Sequence, residues 1–153
     1  MSDPIHWIEY VKAFGPILVA IVVGYIAYQQ WQVNRASFKE KMFDRRYTIY
    51  KGTQKFLGSI LRSARVEDEE FFEFMGVVEE SKFLFGSDVS SYLEEIRVHS
   101  IDMRLSHSKY QNLPVGDERS EFVAKEHAEL KWLNDQLGLL VSKFEKYINF
   151  GKF

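Results

Sequence analysis

The stretch LVAIVVGYIAYQQWQVNRASFKEKMFDRRYTIY, residues 18–50, changes character halfway along with no Pro or Ser-rich break. Its first half is oily, and its second half is basic and amphipathic. No charged residue stands between Lys12 and Arg35. The 19 residues 13–31 would make about 28 Å of helix at about 1.5 Å per residue, close to a hydrocarbon core of about 30 Å. The segment is therefore read as a transmembrane helix over residues 13–34, preceded by a short flank, 1–12. Pro16 falls near the start of the run, where a helix tolerates it best. Trp7 and Tyr10 at one end, with Tyr25, Tyr28 and Trp31 at the other, have the spacing of two interfacial aromatic belts. A cleaved signal peptide fits poorly, because MSDPIHWIEY is acidic where such a leader is basic.

Charge sets the expected orientation. The chain has 153 residues and a net charge of −2, but this total conceals two opposed blocks. Over 35–65, nine Lys/Arg stand against Glu40 and Asp44, a net of +7. Over 66–153, ten Lys/Arg stand against eighteen Asp/Glu, a net of −8. Arg35, Lys39, Lys41, Arg45 and Arg46 crowd the C-terminal flank of the apolar run, so the bulk of the chain is expected in the cytoplasm, with these cations facing anionic lipid.

Within the apolar run, Ala13, Ile17, Ala20, Gly24, Ala27 and Trp31 fall at alternating 4-3 spacing and form one seam. Small residues at such positions let helices approach closely, so a homo-oligomer is expected. No ionisable residue lies mid-membrane to serve a proton relay.

Beyond Asn34, every long segment has helical periodicity. Phe38, Met42, Ile49, Phe56 and Ile60 mark a helix over 35–63 that continues the membrane helix, with Gly52 and Gly58 as positions where it can bend. Acidic residues after Arg65 are expected to cap a short helix carrying Phe71, Met75 and Val78. Ser87 or Asp88 is expected to cap the next, which carries Val89, Leu93, Ile96, Ser100 and Met103. After NLPVGD, Asp117 opens the last and longest helix expected, with Phe122, Leu130, Leu133, Leu137, Leu140, Phe144 and Tyr147 at 3-4 spacing. The expected fold class is all-α: one N-terminal transmembrane helix running into a four-helix up-down cytoplasmic bundle over 35–153.

The catalytic inventory is thin. Without cysteine there is no thiolate metal site and no thiol nucleophile. No phosphate loop, HExxH or G-x-S-x-G is present, and Ile96, Arg104 and Ala124 stand three before His99, His107 and His127, which excludes a Glu-x-x-His di-metal pattern. No metal and no cofactor is expected. Arg97 with His99, Arg104 with His107, and Arg119 with His127 are the pairs that could hold a phosphate and move a proton without metal. Surface Arg and His on solvated faces is the plainer reading of all three.

The segments YIAYQQWQVNR, MFDRRYTIY, KFLFGSDVSSYLEEI and LPVGDERSEFVAKEHAELKWL give the chain a likeness spread over most of its length. It resembles a group of small, mostly uncharacterised bacterial proteins with one membrane helix and a helical cytoplasmic domain. More distantly, its plan is similar to membrane-anchored HEPN-like accessory proteins found beside RNA-targeting CRISPR systems. That resemblance implies the bacterial inner membrane, antiviral defence and assembly into pores. HEPN ribonucleases space Arg and His by four to six residues. Here seven separate Arg119 from His127 and two separate Arg104 from His107, so only the overall plan transfers. The expected function is that of a non-enzymatic, self-associating membrane protein, a pore-forming or membrane-perturbing effector. The alternatives are a membrane-tethered RNA-binding or RNA-cleaving module and a monomeric tether for a cytoplasmic protein partner.

Overall fold

A computed structural model describes residues 5–148, with the side chains of Tyr10, Lys12 and all residues from Phe14 on. Four helices account for the fold: α1 (Ile5–Ser63), α2 (Asp68–Leu84), α3 (Ser87–Gln111) and α4 (Asp117–Ile148), with no strand among the described residues. The chain divides into two compact units, Met1–Lys41 and Met42–Phe153.

In the first unit the helix is already formed at Ile5, so Pro16 lies inside it rather than at its start. A proline there leaves the carbonyl of Lys12 without its usual helical donor. From Pro16 to Ala36 every residue is exposed, including Leu18, Ile21 and Val23. This helix is long and apolar enough to cross a bilayer. At its polar end the Gln29 and Gln32 amides donate to the hydroxyls of Tyr25 and Tyr28, both at 2.8 Å. The amides thus reach tyrosine hydroxyls one turn back. The boundary between units falls at 41/42, later than the charge boundary at 34/35, and residues 35–41 are almost wholly exposed.

The second unit is a helical bundle with one apolar core. Ile49, Phe56, Leu57 and Ile60 of α1 meet Phe74 and Val78 of α2, Leu93, Ile96 and Met103 of α3, and Leu133, Leu140 and Phe144 of α4. Phe56 and Phe74 stack with centroids 4.2 Å apart. The predicted α3 stripe, Val89 to Met103, is buried in full, since residues at 3-4 spacing share one face. Phe38, in the first unit, is 65% exposed and takes no part in this core.

Partner numbers run in opposite directions across neighbouring helices. Arg46 reaches Leu84, Lys55 reaches Glu73 and Phe56 meets Phe74, which makes α1 and α2 antiparallel. Tyr92 bonds the Gln136 carbonyl, His99 meets Glu129 and His107 meets Glu126, so α3 and α4 are antiparallel too.

Gly52 sits where α1 and α2 come closest. An added Cβ there would lie 2.8 Å from Val77 Cγ2, so glycine serves the close approach of α2. An acidic residue stands at the N-cap of α2 as expected, whereas the cap of α3 differs. Gly86, not Ser87 or Asp88, is the N-cap of α3, and Glu67 caps α2 without a side-chain bond. The acids instead fill first turns, where they oppose the positive helix end: Asp68, Glu69 and Glu70 in α2, and Asp88 in α3.

Candidate functional site

Two polar constellations sit at opposite ends of the second unit. At one end the α1–α2 turn, the last turns of α3 and the first half of α4 enclose a cleft of about 390 Å³, lined by Arg65, Glu67, Asp68, Arg104, His107, Gln111 and Glu126 among others. The turn reverses the chain through Ala64, whose φ of 52° lies in the left-handed region.

Arg104 and His107, three apart on α3, both face this cleft. Each is already engaged. The Arg104 guanidinium bonds Asp68 and lies 4.6 Å over the Phe71 ring. Its Nη1 is buried without a hydrogen-bond partner, and the ring's π-face supplies what compensation it has. His107 Nδ1 lies 2.7 Å from Glu126 Oε1, and its Nε2 lies 2.7 Å from the Gln111 amide nitrogen. These partners fit the Nδ1–H tautomer, with Nδ1 donating to the carboxylate and Nε2 accepting from the amide. Both ring nitrogens thus have partners within the chain. Glu126 is only 9% exposed, and the Tyr110 hydroxyl stands 2.9 Å from the same His107 Nδ1. Burial, then the bond to Glu126, raises the Tyr110 pKa.

Arg119 and His127 line a separate, open groove of about 420 Å³ with Val115, Ser120 and Val123. Arg119 points its guanidinium towards Tyr110, 5.9 Å from the ring centroid. No hydrogen bond joins the pair among the described residues. The structure does not bring the third pair, Arg97 and His99, together, and sequence reasoning missed the partners that each one takes. His99 Nδ1 lies 2.5 Å from Glu129 Oε2, and its ring stacks on Trp132 at 3.7 Å, bridging α3 and α4. Arg97, its neighbour in sequence, is instead held by Glu94, whose pKa is lowered by that bond.

At the other end, the α2–α3 corner is clasped from both sides. Arg46 Nε donates to the Leu84 carbonyl at 3.0 Å, and its guanidinium lies 5.9 Å from the Phe85 ring and 5.3 Å from the Tyr147 ring. Tyr147 accepts the Gly86 N–H at 3.2 Å and donates to Asp88 Oδ1 at 2.7 Å. That bond holds the Asp88 carboxyl below its ordinary range. Arg46, expected among the lipid-facing cations, is instead half-buried: it lies three residues before Ile49 and faces the corner. Arg35, Lys39, Lys41 and Arg45 remain exposed, with Arg35 5.4 Å from the Trp31 ring.

Of the seam, Ile17, Ala20, Gly24, Ala27 and Trp31 are all exposed, and no atom stands within 4 Å of where a Gly24 Cβ would lie. The Ala13 side chain is outside the described residues. No cluster of three or more potential metal ligands occurs among the described residues. Comparison of the chain with protein-family models, curated proteins and solved structures returned no match.

Proposed function

We propose that this protein is a non-enzymatic, single-pass membrane protein that self-associates through the seam of its apolar helix. In this reading the second unit is an up-down four-helix bundle on the cytoplasmic face. The observation that carries it is the run of side chains from Pro16 to Ala36, exposed without interruption and predominantly apolar as far as Val33. A surface of that extent is not stable against water and calls for lipid or another helix. The cations Arg35, Lys39, Lys41 and Arg45 follow it directly, the arrangement that retains a flank on the cytoplasmic side beside anionic lipid. The antiparallel pairings of α1 with α2 and of α3 with α4 support the up-down order. Occupied nitrogens on His107 and the Asp68 partner of Arg104 favour a structural role for the polar cleft.

Native mass spectrometry of the full-length protein in lipid nanodiscs tests the reading. A discrete oligomer is expected, and Ala20→Leu with Gly24→Leu should shift it towards monomer. An unchanged mass distribution for that variant overturns the seam. A monomeric wild type makes the protein a tether for a cytoplasmic partner instead. If the oligomer conducts ions, its role is that of a membrane-perturbing effector, as in antiviral defence.

A further inference from the structure

We infer that the outer face shared by α2 and α3 is a docking surface for a basic amphipathic helix of a partner protein. Every residue of this face belongs to the second unit, and the inference is independent of self-association through the apolar helix.

The two helices run antiparallel. Arg104 bonds Asp68 and lies over the Phe71 ring at one end, and Glu79 and Lys82 act on Arg97 and Glu94 at the other. Five apolar side chains that the core does not use stand on the outward side of this pair. Phe72 and Phe83 of α2 are 68% and 87% exposed, and Leu105 of α3, at 51%, is joined by exposed Val98 and Ile101. At about 100° per residue, Phe72 and Phe83 lie within about 20° of one another, and the three aliphatic residues within about 60°. The phenylalanines also lie within about 40° of Glu79, and Ile101 within about 40° of Arg97, the residues through which the helices meet, so both sets border one groove. From Phe72 to Phe83 the strip runs about 16 Å, three turns of a helix at about 1.5 Å per residue.

Acids line both rims of the strip. Glu69 and Glu80 lie further round α2, towards the side where Glu73 pairs with Lys55 of α1. Glu95 and Asp102 lie further round α3, towards the side where His99 meets Glu129 of α4. All four are exposed, and none takes part in an ion pair among the described residues. The cations near the strip are already engaged: Lys82 by Glu79, Arg97 by Glu94, Arg104 by Asp68, and Lys109 by the Phe122 ring. The charge left uncompensated on this face is therefore acidic. An apolar strip between two acidic rims complements a helix whose apolar stripe runs between two basic flanks. The same charge disfavours the other occupants. Anionic lipid would bring negative charge against both rims, and a second copy docked by the same face would set rim against rim.

The test uses the full-length protein in phosphatidylcholine nanodiscs, with the signal of empty discs subtracted. The probe is a fluorescein-labelled synthetic peptide of about 14 residues, roughly 21 Å as a helix, with leucines along one face and lysines on both flanks. Fluorescence anisotropy should show saturable binding, and none for a peptide of the same composition in scrambled order or for one with Glu in place of Lys. Phe72→Ala and Leu105→Ala should each weaken binding about tenfold. Glu80→Lys combined with Asp102→Lys should weaken it about tenfold at low salt and much less at high salt. Val141→Ala, at an exposed apolar position on α4, should leave binding unchanged. Absence of saturable binding, equal binding of the scrambled peptide, or binding indifferent to the face variants overturns the inference. A shift in the protein's own mass distribution with Phe72→Ala or Leu105→Ala also overturns it and gives the face to a second copy. The membrane seam is tested separately by Ala20→Leu with Gly24→Leu, so failure of one reading leaves the other standing.

Discussion

Substituting Gly52 by Ala probes the closest approach of α1 and α2, and the sign of its effect should depend on one other residue. The added Cβ would stand 2.8 Å from Val77 Cγ2, well inside the roughly 3.5–4.0 Å of a normal carbon contact. Val77 is β-branched and holds a single χ1 rotamer in a helix, so it cannot swing aside, and the two helices must part. Ala gains about 1 kcal/mol over Gly in a helix interior, whereas overpacking costs about 1–3 kcal/mol. The net expectation is a loss of about 1 kcal/mol. In a Val77→Ala background the obstructing atom is gone, so Gly52→Ala should stabilise by up to about 1 kcal/mol, a coupling of about 2 kcal/mol between the sites. Thermal unfolding of the full-length protein in detergent, followed by far-ultraviolet circular dichroism, reads these as shifts of a few degrees in opposite directions. Stabilisation in the wild-type background, or the same sign in both, would refute the close-packing argument.

Two further outcomes follow from the turns. Ala64→Gly should raise the melting temperature, because an L-residue in the left-handed region costs about 1–2 kcal/mol that glycine largely avoids; a lowered melting temperature would show that Ala64 carries no strain. Asp88 is held below its ordinary pKa chiefly by the Tyr147 hydroxyl, so its contribution to stability is complete above the unfolded value near 4 and is lost as pH falls through the lower folded value. Tyr147→Phe should return the Asp88 carboxyl towards its ordinary titration, as followed by carboxyl-carbon NMR, and an unmoved titration would place the cause elsewhere.

Periodicity made the helices and most of their buried faces legible. Val89, Leu93, Ile96, Ser100 and Met103 recur at 3-4 spacing and are buried together, and Leu133, Leu140 and Phe144 behave likewise on α4. Polar residues on those same stripes were harder to read, because composition groups them with solvated charge. Arg46 lies three before Ile49, and Glu126 lies four before Leu130 and seven before Leu133. Their spacing alone marks both for the interior, yet only a partner from another helix makes such burial tolerable: the Leu84 carbonyl for one, His107 for the other. Gly52 was ambiguous for a related reason. Weak helix propensity and close approach leave the same letter in a sequence, and Val77 across the interface decides between them. The Arg104–His107 pair was legible as residues but not as chemistry, since what occupies its nitrogens comes from Asp68, Glu126 and Gln111.

The clasp on the α2–α3 corner has a consequence for the order in which the protein matures. Arg46 is synthesised before the corner it holds, but Tyr147 follows Asp88 by 59 positions. At about 5–20 residues per second, a ribosome needs roughly 3–12 s to cover that interval. A nascent chain therefore has its apolar helix and the whole α1/α2 hairpin available for seconds while the corner stays half-fastened and Phe85 lacks its Phe144 and Tyr147 neighbours. Chains emerging side by side from one messenger could meet through their first two helices before any of them has finished folding.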